Sequence, residues 1–129
     1  MLDATQKVAL VTQFWDAFDH GQFHLAGTLL TDDVSVVWPT SRELFAGRAP
    51  FIHVNEQFPG QWRFLPHTIN ALDNGQVLSI THVISPDCDD HFFATSLFAF
   101  RANQICAITT YWAFADEQPA WRQGLSDVY

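Results

Sequence analysis

Within residues 91–112 the chain carries two successive runs, HFFATSLFAF and QICAITTYW, parted only by Arg101, Ala102 and Asn103. Both are dense in aromatic and β-branched residues, which suit a pleated, packed surface. Divided by the two-residue period of a strand, the first run places Phe92, Ala94, Ser96, Phe98 and Phe100 on one side. His91, Phe93, Thr95, Leu97 and Ala99 fall on the other, and neither set is a solvent face. Such a strand must be covered twice, so one face is expected against helices and the other against a cavity or a partner subunit. The short polar break makes the two runs an antiparallel hairpin.

A chain of 129 residues is one domain's worth and long enough to bury a hydrophobic core. Charged residues make up only 16% of it while aromatics reach 15%, with twelve Phe and five Trp. That much ring surface implies a large core around a lined cavity together with a subunit interface. The formal net charge of −8 repels a phosphate backbone or an anionic membrane surface, so neither nucleic acid nor membrane is an expected partner. Asp3 precedes any apolar run, Lys7 and Asp16 bracket the first one, and no stretch is apolar for long enough to span a bilayer. Cys88 and Cys106 are too few for a disulfide scaffold and read as free thiols in a reducing cytoplasm.

Asp3 and Gln6 have the spacing of a capping box, and Val8, Val11, Trp15 and Phe18 follow at helical steps until Gly21 offers a left-handed stop. A second helix is expected over residues 23–30, ending at Thr31-Asp32-Asp33, and a strand over 34–38, closed by Pro39. Residues 42–46 read as an edge piece. A third helix opens after Gly47 with Pro50 in its tolerated first turn. Its apolar face is Phe51, Val54, Asn55 and Phe58, which sets an amide among apolar neighbours where it needs a partner in backbone, water or ligand. A strand over 62–72 bends near Pro66, Asp73-Asn74-Gly75 turns the chain, and a strand over 77–84 carries Leu78, Ile80, His82 and Ile84 on one face.

Several pieces, in this order and at this spacing, carry a resemblance that extends over nearly the whole chain. They are Asp19-His20-Gly21, Thr31-Asp32-Asp33-Val34, Trp38-Pro39, Phe45-Ala46-Gly47-Arg48, Pro59-Gly60-Gln61-Trp62, Ala94-Thr95-Ser96 and Tyr111-Trp112. Together they resemble the nuclear transport factor 2-like superfamily, and within it the SnoaL-like branch. The resemblance implies an α+β fold of the cystatin-like or ketosteroid-isomerase-like barrel type, a cone-shaped, curved antiparallel sheet wrapped around three helices from the N-terminal half. It further implies a deep apolar pocket and a homodimer formed through the outer face of the sheet. The superfamily is one scaffold for isomerases, cyclases, hydrolases, dehydratases and binding proteins, so fold does not choose function. Matched to the steroid isomerases, this chain has Phe14 where a Tyr donor would stand, Trp38 in place of the base, and Ser96 near the second oxyanion donor. A phenyl ring cannot donate and an indole cannot abstract a proton, which argues against that mechanism. The carboxylate–arginine–carboxylate set of limonene epoxide hydrolase has no evident counterpart.

Two titratable residues compete for the role of general base. His82 lies among Leu78, Ile80 and Ile84, where a neutral imidazole would work near neutral pH, or where it is simply a satisfied core or interface residue. Asp116, just past the last strand, either folds over the pocket mouth or stays solvated. The loop with Asp87, Cys88, Asp89 and Asp90 has ligand types without a metal-binding spacing and reads as an acidic turn, so no metal is expected. With no Gly-rich phosphate loop, no cofactor is expected either. Phe14, Trp38, Asn55, Ser96 and Trp112 are the candidate pocket residues. Two readings remain: a pocket for a small apolar molecule, oriented by Asn55, Ser96 and the indoles, or an isomerase, hydrolase, cyclase or dehydratase using His82 or Asp116.

Overall fold

The computed structural model describes all 129 residues. Helix α1 (Ala4–Asp19) begins at a reciprocal cap, in which Gln6 N donates to Asp3 Oδ1 at 2.8 Å and Asp3 N to Gln6 Oε1 at 2.9 Å. Its inward stripe is Val11, Phe14, Trp15 and Phe18, and Gly21 at φ 68° takes the left-handed turn that follows. Helix α2 (Phe23–Thr28) is shorter than its pattern suggests, and strand β1 (Leu30–Trp38) already includes Thr31, Asp32 and Asp33. Tertiary bonds explain the early switch. Ile105 N donates to Leu29 O at 2.9 Å, and both Arg48 and Gln104 donate to Leu30 O, so these backbone groups serve the sheet rather than a further helical turn.

Strand β2 (Glu43–Ala46) folds back on β1, α3 (Arg48–Gln57) crosses the opening, and β3 (Arg63–Ala71), β4 (Val77–Ile84), β5 (His91–Arg101) and β6 (Gln104–Phe114) follow as a meander. A final 3-10 turn spans Ala120–Arg122. The six strands form one curved, unclosed sheet in the order β2-β1-β6-β5-β4-β3. The sheet is mixed rather than antiparallel throughout. The meander returns β6 alongside β1 in the same direction, with Val36 opposite Ile108. No helix is long and apolar enough to cross a membrane.

The inner face packs on the helices through Val36, Val77, Val83, Phe98 and Ile108, joined by Phe14, Trp15 and Phe18 from α1. Fully buried side chains such as Phe14 and Phe98 each contribute roughly 1.5–3 kcal/mol of hydrophobic stabilisation. On β4 the residues that point inward are Val77, Ser79, Thr81 and Val83. The more apolar set, Leu78, Ile80, His82 and Ile84, faces out.

Candidate functional site

The cone opens between α3, the end of β1 and the paired ends of β5 and β6, around a cavity of about 460 Å³. Six rings wall it: Trp38, Phe58, Phe64, Phe92, Trp112 and Phe114. Their positions follow from strand alternation. Phe92 and Phe114 are cross-strand partners with ring centroids 5.0 Å apart, and Trp112, two residues before Phe114, meets Trp38 edge to face at 5.6 Å. Deeper in the cone a space of about 20 Å³ is lined by Phe14, Ile108 and Thr110 among others, and Trp38, Asn55, Phe64 and Trp112 border both spaces.

The candidate pocket residues divide by depth. Trp38, Asn55 and Trp112 border the larger cavity, while Phe14 lies at the bottom of the cone with nothing to donate. Ser96 is on the inner face but fully buried, sharing a 2.9 Å hydrogen bond with Thr110 Oγ1, and it is Thr110 that reaches the inner space. Asn55 Nδ2 donates to Phe51 O at 2.8 Å, and Trp112 Nε1 is shielded from solvent without a hydrogen-bond acceptor.

Neither base candidate reaches the cavity. His82 occupies an even position of β4 and therefore projects from the outer face, opposite the helices. There its ring stacks on Phe93 at 4.6 Å, its Nε2 lies 2.9 Å from His91 Nδ1, and His67 packs at 5.4 Å. Desolvation, and after it the charges of His91 and His67, hold its pKa below the ordinary histidine value. Asp116 is exposed beyond β6, where its Oδ1 accepts from Glu117 N at 2.8 Å, in a separate shallow depression with Asp89, Asp90 and the edges of Phe92 and Phe114, and it does not border the cavity itself. The one titratable side chain bordering the cavity is Glu43, exposed on the edge strand β2. No three or more metal-ligating side chains converge anywhere in the fold.

A second depression, of about 430 Å³, lies on the other side of Asn55, Phe58 and Phe64. Glu56 and His20 line it, together with the ion pair of Asp19 and Arg63. Asp19 accepts from Arg63 Nε at 2.7 Å, from an Arg63 terminal nitrogen at 3.0 Å and from Phe64 N at 2.8 Å, and the guanidinium holds the Asp19 carboxyl below the usual carboxylate range. This pair ties the end of α1 to β3.

The SnoaL-like domain family matches residues 8–122. The chain belongs to that family. Among solved structures this SnoaL-like domain is similar to a proposed ketosteroid isomerase from Kribbella flavida, with 22% identity, a TM-score of 0.85, and coverage of 98% of this chain and 92% of that one. An NTF-2 like protein of unknown function from Burkholderia xenovorans aligns at 20% identity and TM-score 0.79, covering 97% and 96% of the two chains. An LEH-like epoxide hydrolase from M. tuberculosis aligns at 18% identity and TM-score 0.71, covering 84% of each. These likenesses establish the fold, and no curated protein sequence matches the chain.

Four wall residues of the SnoaL-like cone were not singled out from sequence: Phe58, Phe64, Phe92 and Phe114. The signal for two of them was present. Phe92 shares the period-two set of Ser96, and Phe114 continues the set of Trp112, so alternation alone aims both rings inward.

Proposed function

We propose that this SnoaL-like protein binds a small apolar molecule in the aromatic cone. The observation that carries the reading is a cavity of about 460 Å³ walled by six aromatic rings, with Glu43 at its rim as the sole titratable neighbour. A catalyst of the isomerase, hydrolase, cyclase or dehydratase kind needs a titratable group within hydrogen-bond reach of the reacting atoms. The cone brings neither His82 nor Asp116 there, which favours binding over catalysis. Trp38 and Trp112 are built-in reporters. Neutral bicyclic and tricyclic hydrocarbons are expected to change tryptophan emission and raise the melting temperature, and Val54→Phe, which fills the cavity, is expected to abolish both effects while the protein stays folded. Unchanged emission and melting across the panel, or full retention of binding by Val54→Phe, would defeat the reading.

The same reading includes a second copy of the chain as partner, through the outer face. Leu78, Ile80, Ile84, Phe93 and Leu97 are only partly covered there and no carboxylate stands among them, in a chain of net charge −8. Sedimentation should give a dimer mass that Ile80→Lys lowers to the monomer. Free Cys88 and Cys106 fit a reducing compartment, the cytoplasm.

A further inference from the structure

The charge around the mouth of the aromatic cone is of one sign. Glu43 on β2 is the partner of Trp38 on β1, and residues paired across antiparallel strands share a face. The pairing that puts the Trp38 ring in the wall therefore puts the Glu43 carboxylate at the rim. Elsewhere on the rim, the pairing of Phe92 with Phe114 brings the start of β5 to the end of β6, closed by Ala115 N donating to His91 O at 3.2 Å. The flanking residues come with them: Asp89, Asp90, Asp116 and Glu117 line the shallow depression that shares Phe92 and Phe114 with the cavity.

No Lys or Arg answers these carboxylates. The ion pairs of the fold join Asp16, Asp19, Asp32 and Asp33 to His20, Arg63, Arg48 and Arg101, and none includes Glu43 or the carboxylates beside Phe92 and Phe114. Arg42, next to Glu43 in the chain, lines neither space, and His91 borders only the acidic depression. The neutral polar groups of the cavity do not choose a sign. Ser41, Asn55 and Gln57 each carry donor and acceptor, and the indoles of Trp38 and Trp112 donate, so an amine, a hydroxyl and a carboxylate are all served. Charge is what separates them: in a chain of net charge −8, the field at this rim attracts a cation and repels an anion.

We infer that the cone takes an organic cation, an apolar ring body seated among the aromatic walls with an ammonium group at the rim beside Glu43, in preference to the same body carrying a hydroxyl or a carboxylate. The inference rests on the pocket reading above and specifies its ligand class. Held at the rim, the ammonium keeps part of its hydration, so the body is buried without the cost of burying a charge. One exposed ion pair corresponds to a gain in affinity of up to about fivefold, and the neighbouring carboxylates widen the gap between cation and anion.

The test is a matched trio on one body, 4-tert-butylbenzylammonium, 4-tert-butylbenzyl alcohol and 4-tert-butylbenzoate. Each is titrated calorimetrically at neutral pH into the wild type and Glu43→Gln, in about 0.02 M and about 0.5 M salt. Expected in the wild type at low salt is tightest binding of the ammonium and weakest of the carboxylate, a spread that high salt narrows. In Glu43→Gln the ammonium loses up to about fivefold while the alcohol is unchanged. Binding of the carboxylate as tightly as the ammonium overturns the inference, as does an ammonium preference over the alcohol that is undiminished in Glu43→Gln. Should the variant fail to fold, the wild-type trio decides by itself, and a preference that high salt leaves untouched overturns the inference. Equal binding of all three overturns the cation assignment alone, whereas binding of none overturns the pocket reading with it.

Discussion

Strands β4, β5 and β6 build two unlike surfaces from the same residues' alternation. Inward, Ser79, Ser96 and Thr110 lie in one cross-strand row beneath Trp15 and Phe98, and the Ser96 and Thr110 hydroxyls meet each other away from water. Outward, His82 stacks on Phe93 between His67 and His91, half-covered and in reach of protons. The contrast teaches that the polar groups buried on the inner face are neutral, the Ser79, Ser96 and Thr110 hydroxyls partnered and that of Thr81 not, while the titratable histidines sit where solvent can screen them. On the proposed function, shape recognition would belong to the inside of the cone, and the histidine cluster sits on the outside.

Neighbouring residues on β5 give the sharpest way to break this comparison. Phe98 is fully buried, edge to face with Phe14 at 5.4 Å, whereas Leu97 is half-covered on the outer face. Phe98→Ala should cost about 3–5 kcal/mol in urea unfolding, and Leu97→Ala markedly less. Equal costs would mean that the outer face is as covered as the inner one, as a tightly held second copy would make it.

The inner hydroxyl pair gives an intermediate effect. Ser96→Ala leaves Thr110 Oγ1 without its partner and should cost about 1–3 kcal/mol, while Ser96→Ala combined with Thr110→Val should cost less than the two single changes added together. Strict additivity in a double-mutant cycle would show that the two hydroxyls do not work as a pair.

That pair also marks how far the sequence is legible. The element order, the capping box and the indoles at the cone's mouth follow from spacing and periodicity. The direction of β4 does not, because Leu78, Ile80 and Ile84 are more apolar than the inward set of Val77, Ser79, Thr81 and Val83. A preference for burying the greasier face would turn the strand over, and with it His82. Ser79 goes inside because register sets it opposite Ser96 and its Oγ accepts from Trp15 Nε1. The parallel pairing of β1 with β6 is hidden for a related reason, since the period of a strand is the same whichever way its neighbour runs. The carboxylate-lined and aromatic sides of Asn55 likewise separate only once α3 and β3 are packed.

The smallest expected effect is the pH dependence that His82 imposes on stability. Its folded-state pKa lies below the ordinary value of 6.5, so as pH falls through that value the unfolded chain takes up the proton first and the folded state loses ground. Above that range both states hold a neutral ring and the contribution is flat. The groups facing His82 are His67 from β3, His91 and Phe93 from β5, and no carboxylate bonds to its ring. Denaturation midpoints compared at about pH 7.5 and about pH 5.5, on either side of the free-histidine range, should fall less steeply in His82→Leu than in the wild type. Identical slopes would show that the ring's surroundings do not disfavour its charge. The same pair of conditions separates the two faces: the loss caused by Ser96→Ala should be the same at both, because no titratable side chain touches the hydroxyl pair.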